Sequence, residues 1–91
     1  MDKICVLGLG YIGLPTAALF AQAGFNVLGV DINAKIVSAV NEGRVHIEEE
    51  GLAELVGRLV KEGRLRAALK PEPADAFLIT VPTPLNEDRQ A

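Results

Sequence analysis

Three glycines at the spacing Gly8-x-Gly10-x-x-Gly13, set between two short apolar runs, constrain this chain more than any other feature. The first run, Ile4-Cys5-Val6-Leu7, contains no polar position, as a parallel strand buried on both faces requires. A long apolar run follows the glycines, then Asn26 to Val30, then Asp31. Strand, glycine turn, helix, strand and acid in that order form a βαβ unit with the fingerprint of dinucleotide binding. Gly8 and Gly10 permit a tight turn and close backbone approach to a pyrophosphate, and Gly13 lets the helix lie near the strand. Backbone N–H groups at the helix start, those of Tyr11 and Ile12 among them, face an anion together with the positive end of the helix dipole. The Asp31 carboxylate can accept hydrogen bonds from ribose hydroxyls, and its charge opposes a 2′-phosphate. The expected cofactor is therefore NAD rather than NADP, with Lys35 close enough to soften that preference.

The remaining pattern predicts more of the same architecture. The first helix is expected from Ile12 to Ala23, with Pro15 in its first turn, where a missing N–H costs nothing, and Gly24 as its stop. Asn33 is placed to cap a second helix over Ala34 to Glu42. Leu52, Leu55, Val56, Leu59 and Val60 make the apolar stripe of a third helix, Gly51 to Glu62. Weak strand character returns at Leu65 to Leu69 and strong character at Ala76 to Val81, where Pro82 and Pro84 end it. Right-handed crossovers then give a Rossmann-type α/β fold: a parallel sheet of order 3-2-1-4 with helices on both faces. At 91 residues the chain holds about one half of such a fold, an N-terminal half-domain over residues 1–91 with no second domain expected. At the switch point between the first and fourth strands, the glycine turn meets Val81-Pro82-Thr83-Pro84, so Thr83 is a candidate cofactor contact.

Several other chemistries are disfavoured. A net charge of −3 without a basic stripe, and few aromatic residues, argue against nucleic acid. The stretch from Lys3 through Ala21-Gln22-Ala23 has the outline of a signal peptide, but the glycines and Pro15 break it, and no run reaches membrane-spanning length. A single cysteine fits a reducing compartment, and a cytoplasmic location is expected. Cys5 lies mid-strand among apolar neighbours and reads as a small buried hydrophobe, not a nucleophile. His46 has no partner ligand near it, and Glu48, Glu49 and Glu50 suit the start of the third helix, so no metal site is expected.

The motifs taken together resemble one family. Gly8-Leu9-Gly10-Tyr11-Ile12-Gly13-Leu14-Pro15-Thr16-Ala17, Gly29-Val30-Asp31-Ile32-Asn33, Ala74-Asp75-Ala76-Phe77 and Val81-Pro82-Thr83-Pro84 are similar to the N-terminal domain of the UDP-sugar 6-dehydrogenases. Arg44-Val45-His46-Ile47 and Leu14-Pro15 are most similar to the branch acting on UDP-N-acetyl-D-mannosamine. The chain departs from the family at Glu49-Glu50, where an acid is commonly followed by proline. The resemblance implies a parent enzyme of nucleotide-sugar metabolism and polysaccharide biosynthesis. Such an enzyme oxidises the C6 alcohol of a UDP-sugar to a carboxylate with two NAD. It also implies Tyr11, Ile12, Asp31 and Thr83 as NAD contacts. The cysteine and lysine of the chemical steps lie in later parts of such proteins and match nothing here, so no catalytic residue is assigned and no turnover is expected of this chain alone. The fourth strand would keep an unpaired edge, from which a homo-oligomer is expected. Two alternatives remain open from the residues: a regulatory module that senses NAD(H) without chemistry, and another NAD dehydrogenase of the hydroxyacid type.

Overall fold

Strand β1 (Lys3–Leu7) lies inside the sheet, paired on both sides. A computed structural model describes residues 3–46 and 49–80. Along it follow α1 (Gly13–Gln22), β2 (Asn26–Val30), α2 (Ala34–Asn41), α3 (Leu52–Lys61), β3 (Leu65–Ala68) and β4 (Ala76–Ile79). The strands form one sheet in the order β3-β2-β1-β4. Every pairing is parallel, with Leu7 opposite Val30 on one side and Ile79 on the other. Expected order and element boundaries hold to within a residue or two, β3 ending at Ala68 and β4 at Ile79. No helix among the described residues is long and apolar enough to cross a membrane.

Local chemistry sets the ends of the elements. Gly24 takes φ 111°, which an L side chain would resist. Its N–H donates to Ala21 O and the N–H of Phe25 reaches back to Phe20 O, which closes α1 with a Schellman motif. The edge-to-face pair Phe20–Phe25, with centroids 5.8 Å apart, is the apolar contact that accompanies such a cap. Asn33 caps α2 as expected, its side chain accepting from Lys35 N at 2.9 Å. Helix α3 begins at Leu52, after Gly51 in a left-handed conformation, and its first-turn acid is Glu54. Glu49 and Glu50 precede it; Glu49 supplies a backbone carbonyl to Leu52 N at 3.1 Å. Glu48 lies outside the described residues.

Alternation along the strands divides the apolar residues between the two faces of the sheet. Ile4, Val6, Val27, Leu65 and Ala67 join Leu14, Ala17, Ala18 and Ala21 of α1, Val40 of α2, and Leu52, Val56 and Leu59 of α3 in the main core. The small residues of α1 are fully buried, so that helix sits close on the sheet. The other face carries Cys5, Leu28 and Val30, with Leu7, Ala68 and Ala74 against them.

The expectation of helices on both faces is therefore corrected: among the described residues, all the helices lie on one face. The reason is the route from β3 to β4. Successive crossovers β1-α1-β2 and β2-α2-α3-β3 run in one direction and stack their helices on one side. The return to β4 must cross the opposite face, and the connector 69–75 does so without a helix. That face is covered only in part, leaving Phe77 and Ile79 of β4 at 50% and 73% exposure.

Candidate functional site

Parallel strands aim their carboxyl ends in one direction, and the glycine turn leaves β1 at that end of the sheet. Each of its glycines has a different reason to be there. Gly8 has φ 104° and donates its N–H to Val30 O at 2.7 Å, which ties the start of the turn to the end of β2. At Gly13, an added β-carbon would stand 1.8 Å from Gly8 O and 2.4 Å from Thr80 Oγ1, so only glycine lets α1 start against the turn. Gly10 is the exception: its φ is not positive, and no described residue lies within 4 Å of the place a β-carbon would take. No contact among the described residues demands glycine there. Open space over bare backbone is what close approach by an external anion requires.

Donors for such an anion are present. Among the described residues, no acceptor meets the N–H groups of Gly10, Tyr11 or Ile12. The side chains of Tyr11 and Ile12 are 82% and 68% exposed, so the backbone beneath them is what they contribute to the turn.

Asp31 follows β2 and is half-buried. Its Oδ2 accepts from Leu9 N at 3.0 Å and its Oδ1 from Asn33 N at 2.9 Å. These bonds hold the carboxylate between the glycine turn and the cap of α2, and each oxygen keeps a lone pair for a further donor. Beside it lies a cleft of about 340 Å³ lined by Leu7, Gly8, Val30, Asp31, Ile32, Leu69 and Pro71. Ile32 is 95% exposed and stands at the edge of this mostly apolar space. A flat apolar ring next to a carboxylate that can take ribose hydroxyls is the chemistry such a cleft fits. A second cavity of about 220 Å³, bounded by Lys3, Asn26, Gly63, Arg64 and Arg66, opens at the opposite ends of the strands, away from the turn.

Of the residues expected from sequence, Gly8, Gly10, Tyr11, Ile12, Gly13 and Asp31 thus come together at one end of the sheet. Thr83 lies outside the described residues. Cys5 is fully buried in β1 and His46 is exposed after α2. Thr80 was not singled out by the sequence. Its Oγ1 is 2.8 Å from Gly8 O and 3.1 Å from Leu7 O, and its N–H continues the ladder to Leu7 O at 2.8 Å. The only signal for it in the sequence is a hydroxyl directly after an apolar strand.

Comparison with known proteins agrees with this geometry. Residues 2–91 match the model of the UDP-glucose/GDP-mannose dehydrogenase family, NAD binding domain. The UDP-N-acetyl-D-mannosamine dehydrogenase of Campylobacter jejuni is 56% identical over 96% of this chain and 21% of its own length. The NDP-N-acetyl-D-galactosaminuronic acid dehydrogenase of Ralstonia nicotianae is 55% identical over the same shares. The solved UDP-N-acetyl-mannosamine dehydrogenase of Staphylococcus aureus superposes with a TM-score of 0.91 at 46% identity, over 97% of this chain and 21% of that one. The chain thus spans about a fifth of the length of the relatives it matches. By its sequence, its sheet and its glycine turn, the chain belongs to the UDP-glucose/GDP-mannose dehydrogenase family, as an NAD-binding domain.

Proposed function

We propose that this chain is the cofactor-holding part of a dehydrogenase that oxidises the C6 alcohol of a UDP-sugar, UDP-N-acetyl-D-mannosamine in the first place, to the uronate. That conversion removes four electrons from the sugar. Two NAD take them as two hydrides, and water supplies the second oxygen of the carboxylate. Bound NAD would supply the hydride acceptor; the residues here would bind and orient it. Gly8, Gly10 and Gly13 shape the turn, and the N–H groups of Tyr11 and Ile12 would hold the pyrophosphate. Asp31 would accept from the ribose and oppose a 2′-phosphate, and Thr83, which follows β4 in the sequence, would be a further contact. The observation that carries this reading is Gly10, a glycine for which the described structure has no internal need.

The experiment is Gly10→Ala. Among the described residues, nothing within 4 Å obstructs the new methyl. The variant is expected to keep its melting temperature while its Kd for NAD rises by about tenfold or more, the scale of a lost close approach. A Gly10→Ala chain that binds NAD like the wild type would sink the reading. The substrate half is tested on the longer protein, where UDP-N-acetyl-D-mannosamine should drive NADH formation and simple hydroxyacids should not. This chain alone is expected to give no turnover. We further infer a homo-oligomer, supported by β4 lying at an edge of the sheet with Phe77 and Ile79 exposed. A strictly monomeric sedimentation profile at high concentration counts against it.

A further inference from the structure

The peptide unit joining Gly8 to Leu9 is held at both ends by side chains from distant parts of the chain. Its N–H donates to Asp31 Oδ2 at 3.0 Å, from 22 positions away. Its carbonyl oxygen accepts from Thr80 Oγ1 at 2.8 Å, from 72 positions away. We propose that Thr80 is a positioning residue for the dinucleotide, fixing the plane of the Gly8–Leu9 peptide from the carbonyl side while Asp31 fixes it from the N–H side.

The need for such a clamp follows from Gly8. With φ at 104° and no β-carbon, Gly8 offers little steric resistance to rotation of the peptide that follows it. Turned over, that peptide would set the Gly8 carbonyl oxygen against the Asp31 carboxylate and its N–H against the Thr80 hydroxyl. Two acceptors, one of them a carboxylate, would then face each other, and Asp31 would be driven from the place where it would meet the ribose. The carbonyl is also wedged against the start of α1, since a β-carbon on Gly13 would fall 1.8 Å from Gly8 O and 2.4 Å from Thr80 Oγ1. The hydroxyl thus sits where the ends of β1 and β4 and the first residue of α1 converge.

A threonine hydroxyl has one proton to give. Leu7 O, 3.1 Å away, already accepts Thr80 N at 2.8 Å. Gly8 O has no other donor among the described residues, and it is also the nearer acceptor. The bond that depends on the hydroxyl is therefore the one to Gly8.

The inference rests on the NAD-binding role of the turn, and the test separates the two. Thr80→Val keeps the shape and loses the hydroxyl; Thr80→Ser keeps the hydroxyl and loses the methyl. Calorimetry reads the Kd for NAD, and amide hydrogen exchange by NMR reads the Leu9 N–H. Thr80→Val is expected to raise the Kd by about fivefold, the scale of one neutral hydrogen bond. Its Leu9 amide should exchange about tenfold faster while the β1–β2 ladder keeps its protection. Thr80→Ser should stay within about twofold of wild type on both readouts. The proposal is overturned if Thr80→Val keeps NAD affinity and Leu9 protection, or if Thr80→Ser is as impaired as Thr80→Val. A loss of protection spread over the whole sheet also overturns it, since that is a merely structural effect. A wild-type chain that takes up no NAD overturns the cofactor role instead, and the clamp is then decided by the Leu9 amide alone.

Discussion

Leu9 occupies the space that a side chain on Gly29 would need: its Cδ2 lies 2.5 Å, its Cδ1 3.0 Å and its Cγ 3.2 Å from the position of the missing β-carbon. Leu9 belongs to the glycine turn and is fully buried, whereas Gly29 lies within β2 opposite Val6. The one apolar side chain the turn sends inward is therefore seated on a bare stretch of the neighbouring strand. Because Asp31 accepts from Leu9 N as well, the turn is fastened to β2 through both the backbone and the side chain of the same residue.

Gly29→Ala should displace Leu9 as a whole, since the conflict reaches its Cγ. Overpacking of this kind costs about 1–3 kcal/mol. Urea unfolding should report that loss. A double variant with Leu9→Ala should be no less stable than Leu9→Ala alone, because the conflict vanishes with the side chain. Additive losses in the double variant would contradict the seating of Leu9 on Gly29.

Gly13→Ala makes a different case, because the obstructing atom is a backbone carbonyl at 1.8 Å. No rotamer change relieves it, so α1 and the turn must part. Stability should fall by at least about 2 kcal/mol, within the range of core overpacking. NAD binding should fall with it. Gly10→Ala should lose binding without stability. A Gly13→Ala chain as stable as wild type would mean that the turn and α1 are less closely joined than the geometry states.

The sequence made the sheet order and the caps legible because each rests on local residue chemistry. Apolar runs bounded by glycine and proline marked the strands, and the side chain of Asn33 has the chemistry of a cap two residues from its donor. Crossover handedness then left one order of strands. What it hid are side chains whose partners are distant backbone atoms. Thr80 acts on a carbonyl 72 positions earlier and Asn41 on a strand 26 positions later, and a backbone partner leaves no mark in the residue types. Among the described residues, the helices keep to a single face because the connector 69–75 crosses the other without one. Pro71 and Pro73 speak against a helix in this crossing, whereas doubly wound folds in general place one there.

Asn41 has a structural role that Asn41→Ala should expose. Its Nδ2 donates to Ala67 O at 2.9 Å and its Oδ1 accepts from Ala67 N at 2.8 Å. Ala67 lies on β3, an edge of the sheet, and its N–H and carbonyl turn outward, away from β2. The amide thus serves as the next strand would, and it closes that edge from α2. Removing it leaves a donor and an acceptor unpaired at a partly buried place, a loss of about 1–3 kcal/mol. Thermal unfolding checks this, and Asn41→Asp should be nearly as damaging, since a carboxylate cannot donate to Ala67 O.

The last prediction concerns pH. Glu72, in the connector that crosses the second face, accepts from Arg66 Nη2 at 2.7 Å and from Lys3 Nζ at 2.8 Å. These contacts join β3, the connector and β1. The hydrogen bond from Arg66, then that from Lys3, holds the Glu72 carboxyl down to about 2 against an ordinary value of 4.5. A carboxylate whose folded value is depressed adds stability in full above its unfolded value and loses it as pH falls toward the folded one. The contribution of Glu72 should therefore be complete above pH 4.5 and fade between 4.5 and about 2. Glu72→Gln should be less stable than wild type at neutral pH, by a modest amount because both cations are partly exposed and screened. The gap between the two proteins should close as the solution is acidified through that window, and added salt at neutral pH should narrow it as well. Denaturant titrations of both proteins across that range measure the gap directly. A difference that stays constant from neutral pH down to pH 2 would mean that Glu72 acts through packing and not through its charge.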